Sequence, residues 1–391
     1  MVIKMTNLAT AKKLMNILEK KEFKTFLVGG VVRDYLLKQP INDIDITTSA
    51  IPPQVMKMFD TKLTGIKYGT VTVLFENETF EVTTFRKDGP SKDFRHPDSV
   101  IYTDSEVEDV ERRDFTINGL LMNKNGQIFD YVNGLEDLKN QKIRAIGDPI
   151  KRFEEDALRI LRAIYFESKL GFKIEEKTKL GMQEQRYLLN EIANERILAE
   201  LLKLLKGEFV LNAFKTMVET KVHEQLAGLS KGIEYLAKSN KVPFIDTFFT
   251  MCFILNNGII PSVWKFSSKH RIKYQKATEI ALRHPFINQK VLYQYGIEYC
   301  LLANKANAFL KRSELAEKKI MTLYDSLPLK SELDLKLTSS EMIQLANKKA
   351  GAWVSQIRIK MVNAILDNEI QNTKVELSSY LLKALGVKSN D

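Results

Sequence analysis

The sequence of 391 residues lacks the cysteine and histidine clusters that build disulfide frameworks and many metal sites. Its two cysteines, Cys252 and Cys300, are far apart and belong to no CxxC motif, which argues against a zinc site or a disulfide scaffold. The four histidines stand singly, so neither a His-rich metal centre nor a serine or cysteine nucleophile system is indicated. Candidate chemistry must therefore come from carboxylates, arginines and glycines.

Long uncharged apolar runs are also absent, and the N-terminal segment lacks the apolar block and small-residue cleavage site of a signal peptide. We therefore expect a cytoplasmic protein without a membrane partner. What the chain has in excess is positive charge, with a net charge of +10. This excess favours a polyanionic partner such as RNA, DNA or an anionic lipid surface, although charge spread over solvated helix faces would give the same total.

Hydrophobic spacing divides the chain into a half with alternating strands and helices and a half that is helical. Strands are predicted in FKTFLVGG and over residues 41–47, a short helix in VVRDYLL, and a hairpin over residues 69–85. After about residue 150, apolar residues recur at spacings of three and four, as in RFEEDALRILRAIYFESKL. The prediction is an α+β fold, in which a head with a mixed sheet and helices precedes an all-α C-terminal half.

Two aspartates carry the first chemical signal. Asp43 and Asp45 are two residues apart in a predicted strand, so both side chains are expected on one face, where they can converge on divalent cations. Hard oxygen ligands suit Mg²⁺, and two Mg²⁺ ions acting on a hydroxyl and a triphosphate are the general design for nucleotidyl transfer. Glu81, in the predicted strand FEVTTF, is a third candidate. The alternative is a solvated strand edge, because DID alone is a common tripeptide.

A glycine pair precedes these carboxylates. Gly29 and Gly30 lie between a predicted strand and a predicted helix, where backbone N–H groups and the helix dipole can hold a phosphate. Arg33, one turn into that helix, can reach the same anion. A tight turn alone would also explain the two glycines. A phosphate-holding turn shortly before a metal-binding pair is nevertheless more specific than either feature by itself.

The segments LVGGVVRDYLL and INDIDIT together resemble the signature of the polymerase-β-like nucleotidyltransferases, specifically the class II tRNA nucleotidyltransferase and bacterial poly(A) polymerase family. EVTTFRKDG, ERRDFTINGL and RFEEDALRILRA follow in the family's order and spacing, so the resemblance covers about residues 20–205. It implies template-independent addition of C, C and A to the 3′ end of tRNA from CTP and ATP. Pyrophosphate is the leaving group, and Mg²⁺ is the expected cofactor, held by Asp43 and Asp45.

The resemblance also implies how the bases are chosen. On a continuous helix, Asp156, Arg159 and Arg162 would form one polar stripe. Cytosine and adenine each place an amino donor beside a ring-nitrogen acceptor, so a carboxylate and a guanidinium would accept either base and reject uracil and guanine. An ordinary amphipathic helix with an exposed ion pair is the alternative. The family, however, uses the positions of Asp156 and Arg159 as an amino-acid template.

Other positions are assigned by the same resemblance. Arg113 is expected to contact the nucleotide's phosphates or ribose and Asp114 to organise the sugar-binding end, whereas Arg112 is interpreted as surface charge. The polar segment 86–100 is predicted to be a mobile loop, and it corresponds to the family's element for switching to adenine. Tyr165 departs from the pattern, because LRAIYF stands where the family commonly has LRAxRF. Nucleotide affinity or the step from C to A is expected to differ accordingly.

Four domains are predicted on this basis. Residues 1–148 form a catalytic head, 149–206 a neck for base recognition, and 207–300 and 301–391 a helical body and tail that bind tRNA. The expected contacts are with the acceptor and TΨC arms, through phosphates and shape more than base sequence. A homodimer is compatible with the sequence, which does not fix the oligomeric state.

Narrower and broader activities share the same head. A bacterial poly(A) polymerase would add many adenosines, although such proteins typically carry more extended basic termini, and CC-only or A-only tRNA enzymes would use the same chemistry. A rival of another class is an RNA-binding protein on a degenerate nucleotidyltransferase scaffold. The intact pair of Asp43 and Asp45 argues against that rival, because a degenerate site need not retain metal ligands.

Overall fold

The computed structural model describes residues 8–41, 43–62, 65–88 and 100–386. Within these ranges the chain forms two compact units. The first runs to Val242 and takes in Ser262–Lys265, and the second comprises Pro243–Pro261 and the chain from Phe266 onward.

A mixed sheet forms the N-terminal part of the first unit. The strands are, in chain order, β1 (Thr25–Val28), β2 (Asp45–Thr48), β3 (Asp60–Lys62), β4 (Thr70–Phe75), β5 (Glu78–Thr84), β6 (Arg86–Asp88), β7 (Val100–Tyr102), β8 (Leu121–Met122), β9 (Ile128–Phe129), β10 (Lys142–Ile143) and β11 (Lys173–Ile174). Seven of them make one sheet in the order β3-β4-β5-β2-β1-β8-β9, in which β2 and β5 run parallel and the other neighbours antiparallel. The predicted mixed sheet is thereby confirmed.

Helices surround this sheet and continue beyond it. Those of the first unit are α1 (Leu8–Glu19), α2 (Gly30–Leu36), α3 (Pro52–Met58), α4 (Glu106–Glu111), α5 (Gly134–Lys139), α6 (Pro149–Glu155), α7 (Leu158–Leu170), α8 (Glu176–Gln185), α9 (Asn194–Leu204), α10 (Val210–Glu219) and α11 (Ser230–Ala237). Beyond residue 150 the regular secondary structure of the described chain is helical, apart from the two residues of β11, which pair in parallel with β10. The α+β class predicted from the sequence is confirmed.

Strand β1 lies inside the sheet, between β2 and β8, and all four of its residues are buried. Phe26 and Val28 pack with Phe85, Val110 and Leu121 in one apolar cluster. A short continuous apolar run is typical of a strand covered on both faces, which is why FLV follows no alternating pattern. The packing of this strand fixes the position of the glycine turn that follows it.

The predicted hairpin is present as β4 and β5. Its turn consists of Glu76 and Asn77, whose φ angles of 48° and 62° fit the two-residue turns that match strand twist. The prediction of a loop over residues 86–100 is partly wrong, because β6 begins this segment and β7 starts at its last residue, and the two strands pair antiparallel. Residues 89–99, on which the predicted mobile element falls, lie outside the described residues.

The second unit is helical throughout its described part. Its helices are α12 (Ile245–Leu255), α13 (Ser268–Arg283), α14 (Gln289–Tyr295), α15 (Ile297–Phe309), α16 (Glu317–Asp325), α17 (Ser339–Ala346), α18 (Ala352–Leu366) and α19 (Lys374–Ala384). An aromatic cluster fills the core between α12 and α13, where Phe249 and Tyr274 have ring centroids 5.4 Å apart. No helix among the described residues combines the length and apolar character needed to cross a bilayer.

Candidate active site

The turn between β1 and α2 brings backbone close to charged side chains. Gly29 has a φ of +78°, a left-handed conformation that other residues rarely adopt. A Cβ atom at Gly29 would lie 3.9 Å from Arg113 Nη1 and 3.9 Å from Asp45 Oδ2, and one at Gly30 would lie 3.6 Å from Arg33 Nη2. The turn therefore lies directly beside two guanidinium groups and one carboxylate.

Arg33 is held firmly next to this turn. Its side chain is 3% exposed, and its Nε and Nη2 contact Asp34 Oδ1 at 2.8 and 2.7 Å. Its Nη1 donates to Asn118 Oδ1 at 2.7 Å, and its guanidinium lies 5.2 Å from the ring centroid of Phe166. A guanidinium fixed on several sides presents its positive charge in a defined place.

The carboxylates meet where two parallel strands pair. Asp45 is the first residue of β2 and pairs with Glu81 in β5, so both side chains lie at one end of the β2/β5 ladder. Burial, Glu81 and Asp43 raise the pKa of Asp45 to about 6, against the lowering effect of Arg113. Glu81 and Asp43 are thus each near enough to Asp45 to oppose its ionisation.

The position of Asp43 differs from the predicted one. It lies outside the strand, which begins at Asp45, and its side chain is exposed. The predicted strand over 41–47 is therefore too early by several residues. The physical reason is that the partner strand β1 ends at Val28, where Gly29 turns the chain into α2, so Asp43 and Ile44 have no antiparallel partner in β1. Alternation along a strand thus does not explain how Asp43 and Asp45 share the site.

A second arginine reaches the site from the segment after α4. Arg113 Nη2 donates to Asp109 Oδ2 at 3.0 Å, and Arg112 Nε donates to Asp109 Oδ1 at 2.9 Å. Asp109 is fully buried and also accepts from Thr47 Oγ1 on β2 at 3.0 Å. The interpretation of Arg112 as surface charge is therefore wrong. Its side chain is only 14% exposed and is paired with a buried carboxylate.

The residues predicted to recognise the base lie at a break between two helices. Helix α6 ends at Glu155, Asp156 is extended with φ −149° and ψ 100°, and α7 begins at Leu158. The continuous helix predicted for this segment is wrong, because the Asp156 carboxylate accepts a hydrogen bond from Leu158 N at 3.1 Å and competes with helical pairing. Asp156 also pairs with Arg196 at 3.4 Å, and burial raises its pKa.

Arg159 and Arg162 follow on α7 in different environments. Arg159 Nη1 donates to Arg152 O and Glu155 Oε2, and its Nη2 donates to Arg112 O. A guanidinium has five N–H donors, so capacity for a further acceptor remains. Arg162 donates to Asp114 Oδ2 from Nε at 2.9 Å and from Nη2 at 2.6 Å. Burial would raise the pKa of Asp114, but Arg162 and hydrogen bonds hold it below its ordinary value.

The turn, the carboxylates and the helix break all contribute to the lining of one cleft of about 930 Å³. Every predicted site residue is on its wall: Asp43, Asp45, Glu81, Gly30, Arg33, Arg113, Asp156, Arg159 and Arg162. Tyr165 and Phe166 line it too, and Phe166 lies 5.4 Å from the guanidinium of Arg162. One cleft therefore contains the glycine turn, the carboxylates and a helix break with an aspartate and two arginines that can form hydrogen bonds to a ligand.

Comparison with known proteins decides the family. Residues 25–144 match the family model described as poly A polymerase head domain, residues 171–230 a probable RNA and SrmB-binding site of polymerase A, and residues 251–381 a putative tRNA nucleotidyltransferase domain 2. The CCA-adding enzyme of Bacillus cytotoxicus is 34% identical over 95% of this chain and 97% of its own length. The chain belongs to the family of CCA-adding enzymes.

Solved structures agree with this assignment to the CCA-adding enzymes. The Bacillus stearothermophilus CCA-adding enzyme in complex with CTP is 30% identical, and the match covers 96% of this chain and 97% of that one with a TM-score of 0.80. The Thermotoga maritima CCA-adding enzyme complexed with tRNA_CCA shares the fold at 19% identity, with 96% and 94% covered and a TM-score of 0.65. The chain is accordingly a tRNA nucleotidyltransferase of the CCA-adding family, as its motifs predicted.

Sequence reasoning missed several residues that line this cleft or contact its lining residues. Asp109 and Asn118 support the arginines, Arg196 pairs with Asp156, and Lys169 and Lys203 line the wall. Asp109 and Asn118 flank or lie inside ERRDFTINGL, so their position beside the predicted Arg113 was an available signal. Arg196 comes from α9, and nothing in the sequence indicates that α9 packs beside the helix break.

Asp109→Asn is expected to lower the free energy of unfolding by about 3 kcal/mol at neutral pH, because it leaves two partly buried guanidinium groups without their charge partner. Burial opposes ionisation of Asp109, but Arg113 and Arg112 lower its pKa to about 2 from the ordinary 3.8. Its stabilising contribution is therefore complete above pH 3.8 and is lost as the pH falls toward 2. Urea unfolding followed by circular dichroism at several pH values measures both effects.

The matched control for this substitution is Asp104→Asn, which changes an exposed carboxylate just before α4. It should alter the unfolding free energy by less than about 0.5 kcal/mol. Equal stability of Asp109→Asn and the wild type would show that the buried network contributes nothing. A stability difference that does not shrink on acidification would contradict the lowered pKa.

Proposed function

We propose that the cleft catalyses template-independent addition of C, C and A to the 3′ end of tRNA, with attack of the tRNA 3′-hydroxyl on the α-phosphate of CTP twice and of ATP once. Pyrophosphate leaves at each step. The observation that carries the proposal is the presence of the glycine turn, the carboxylates and the helix break with Asp156 and Arg159 on the wall of one cleft.

The carboxylates fit Mg²⁺. Burial, and after it the neighbouring Glu81 and Asp43, raise the pKa of Asp45 to about 6, and a cation bound beside this carboxylate would favour its ionised form. No group of three or more potential ligand side chains is arranged around a single point in the described chain. Mg²⁺ suits such a site, because it is usually held by one or two carboxylates together with substrate phosphates and water.

Asp43 and Asp45 would hold the metal, with Glu81 as a third carboxylate beside them. Two bound Mg²⁺ ions would supply neutralisation of the triphosphate charge and a lower pKa for the attacking hydroxyl. The protein's own contribution is to position the reactants. Arg33 and Arg113 offer fixed positive charge beside the Gly29-Gly30 backbone, where a triphosphate would bind.

Arg113 lies where a nucleotide would bind. Its side chain lines the cleft, and its Nη1 lies 3.9 Å from the position that a Cβ atom at Gly29 would take. A phosphate or ribose oxygen bound beside the turn could accept a hydrogen bond from this guanidinium. Arg113 is thus proposed as a nucleotide-contacting residue, with Asp109 fixing its guanidinium.

Base choice is assigned to Asp156 and Arg159. A carboxylate accepting from the amino group and a guanidinium donating to the ring nitrogen fit cytosine and adenine alike, and present the wrong groups to uracil and guanine. Both residues can form further hydrogen bonds. Among the described residues, the Asp156 carboxylate contacts Arg196 at 3.4 Å and accepts from Leu158 N. Arg159 uses three of its five N–H donors. Arg162, tied to Asp114, supports the same wall.

Tyr165 is proposed to contact the nucleotide by stacking or hydrogen bonding, and not by an ion pair with a phosphate. Burial raises the pKa of its phenol, which therefore stays neutral at ordinary assay pH. Its ring centroid lies 5.1 Å from that of Phe166, which in turn contacts both Arg33 and Arg162. A stacking or hydrogen-bonding surface thus stands where the family usually places an arginine.

The helical remainder is proposed to bind tRNA. The predicted division assigns residues 1–148 to the catalytic head, 149–206 to the neck, and 207–300 and 301–391 to a body and tail that contact the acceptor and TΨC arms. Such contacts would be sensitive to salt, because they are made to phosphates. The homodimer and the cytoplasmic location stay predictions, and sedimentation and cell fractionation test them.

Stepwise incorporation tests the function. tRNAs ending before the CCA, after the first C, after the second C and after the A are each incubated with Mg²⁺ and one nucleotide. The first two should accept CTP, the third ATP, and the completed tRNA none. Extension of the completed tRNA by many adenosines would identify a poly(A) polymerase. Addition of C without A would identify a CC-only enzyme, and addition of A without C an A-only enzyme. No addition at all would indicate an RNA-binding protein.

A further inference from the structure

The cleft contains two lysines to which the proposed function gives no role. Lys169 on α7 and Lys203 on α9 both line it, with side chains 38% and 56% exposed. The arginines of the cleft are fixed by short contacts, whereas each of these lysines has a single ion pair longer than 3 Å. A flexible ammonium group can move toward a ligand without disturbing the fold.

Lys169 projects from the side of α7 that faces the cleft. It follows Tyr165 by four residues and Phe166 by three, a spacing that places them on one helix face, and all three line the cleft. Tyr165 is neutral, and Arg162 donates twice to Oδ2 of Asp114. Lys169 therefore supplies the mobile positive charge of this face.

A shared carboxylate connects Lys169 with Arg33. Lys169 Nζ lies 3.4 Å from Asp34 Oδ2, whereas the other oxygen of Asp34 contacts Arg33 at 2.7–2.8 Å. Because Arg33 already balances the charge of Asp34 at close range, the long lysine contact contributes little to stability. The ammonium group can exchange Asp34 for a stronger anion in the cleft.

We propose that Lys169 binds a phosphate group of the incoming nucleotide next to Arg33, with CTP and ATP alike. The inference rests on the proposed function, which places the triphosphate at Arg33 and Arg113. A phosphate at the 3′ end of tRNA has the same chemistry, but the link through Asp34 to Arg33 favours the nucleotide. Since phosphates carry no information about the base, Lys169 strengthens both additions without affecting the choice between them.

Lys169→Met tests this assignment by removing the charge while keeping the length of the side chain. The KM for CTP and for ATP should rise about tenfold, with kcat nearly unchanged, because the lost contact stabilises the bound substrate and the transition state equally. Lys169→Arg keeps the charge and should retain a KM near that of the wild type. Lys177→Met, at an exposed position on α8, is the matched control and should behave like the wild type.

The possible outcomes separate this inference from the function on which it rests. Unchanged nucleotide KM values in Lys169→Met, measured beside an active wild type, overturn the inference alone, whereas an inactive wild type overturns the proposed function. A rise confined to the KM for tRNA contradicts the inference by assigning the lysine to the tRNA phosphate. An equal rise in Lys169→Arg, or in Lys203→Met, also contradicts it, because packing or the general field of the cleft would then be the cause.

Discussion

Asp45→Asn is expected to lower the rate of nucleotide incorporation by about 10³-fold or more while tRNA affinity stays close to that of the wild type. Asparagine has nearly the same shape as aspartate but lacks its charge. Asp45 starts β2 opposite Glu81, and its carboxylate faces Gly29, so the substitution removes the negative charge proposed to hold the metal. Single-turnover incorporation of CTP into a tRNA lacking its CCA end measures the rate, and filter binding measures the affinity.

The loss of activity should not come from unfolding. Burial, Glu81 and Asp43 all oppose ionisation of Asp45, so replacing its charge removes repulsion, and the variant should be at least as stable as the wild type. Asp60→Asn, at an exposed position on β3 of the same sheet, is the matched control and should keep full activity. Near-normal incorporation by Asp45→Asn would contradict the assigned role.

Asp156→Asn is expected to relax base choice. An asparagine amide can offer either its oxygen to the amino group of cytosine or its NH₂ to the O4 of uracil, whereas a carboxylate can only accept. The preference for CTP over UTP should fall by about tenfold to a hundredfold, with a smaller effect on the rate with CTP. The asparagine oxygen can still accept from Leu158 N, so the start of α7 is preserved. Values of kcat/KM for the four nucleotides measure the change.

Glu154→Gln provides the matched control for base choice. Glu154 is an exposed carboxylate two residues earlier on α6, and its neutralisation should leave the preference among nucleotides unchanged. If Asp156→Asn kept the wild-type preference while losing metal-dependent activity, the division of roles between Asp156 and the carboxylates at β2 and β5 would be wrong.

Local motifs allowed much of this site to be predicted. The glycine turn and Arg33 belong to a short segment that passes from a strand into a helix, as predicted, and Gly29 does adopt the φ that its residue type permits. The hairpin carrying Glu81 follows from alternation and a two-residue turn. These features depend on neighbours in sequence, so the sequence contains most of the information that determines them.

The helix break at Asp156 shows where periodicity misleads. The apolar spacing of RFEEDALRILRA continues through the segment, which predicts one helix, but the carboxylate of Asp156 bonds to the backbone ahead of it and separates α6 from α7. Periodicity reports which residues face the core and does not register a side chain that replaces one backbone hydrogen bond. The three polar residues still line the same cleft, although not as one stripe.

The network around Asp109 was not predictable for a different reason. Asp109 is joined to Thr47 on β2 and to Arg112 and Arg113 after α4, and these contacts depend on the packing of α4 against the sheet. Nothing in the spacing of these residues indicates that packing. In the same way, Lys169 and Asp34 are distant in sequence but lie 3.4 Å apart. Charged residues that appear to be surface residues in the sequence can therefore belong to the site.

The measurement that tests the central claim most directly is sequencing of the 3′ ends made by the wild type and by Asp45→Asn. Each protein is incubated with Mg²⁺, all four nucleotides together and a tRNA lacking its CCA end. The account predicts that the wild type adds C, C and A and then stops, and that the variant leaves the tRNA unextended. A long tract of adenosines, frequent incorporation of U or G by the wild type, or CCA ends made at a normal rate by Asp45→Asn would contradict it.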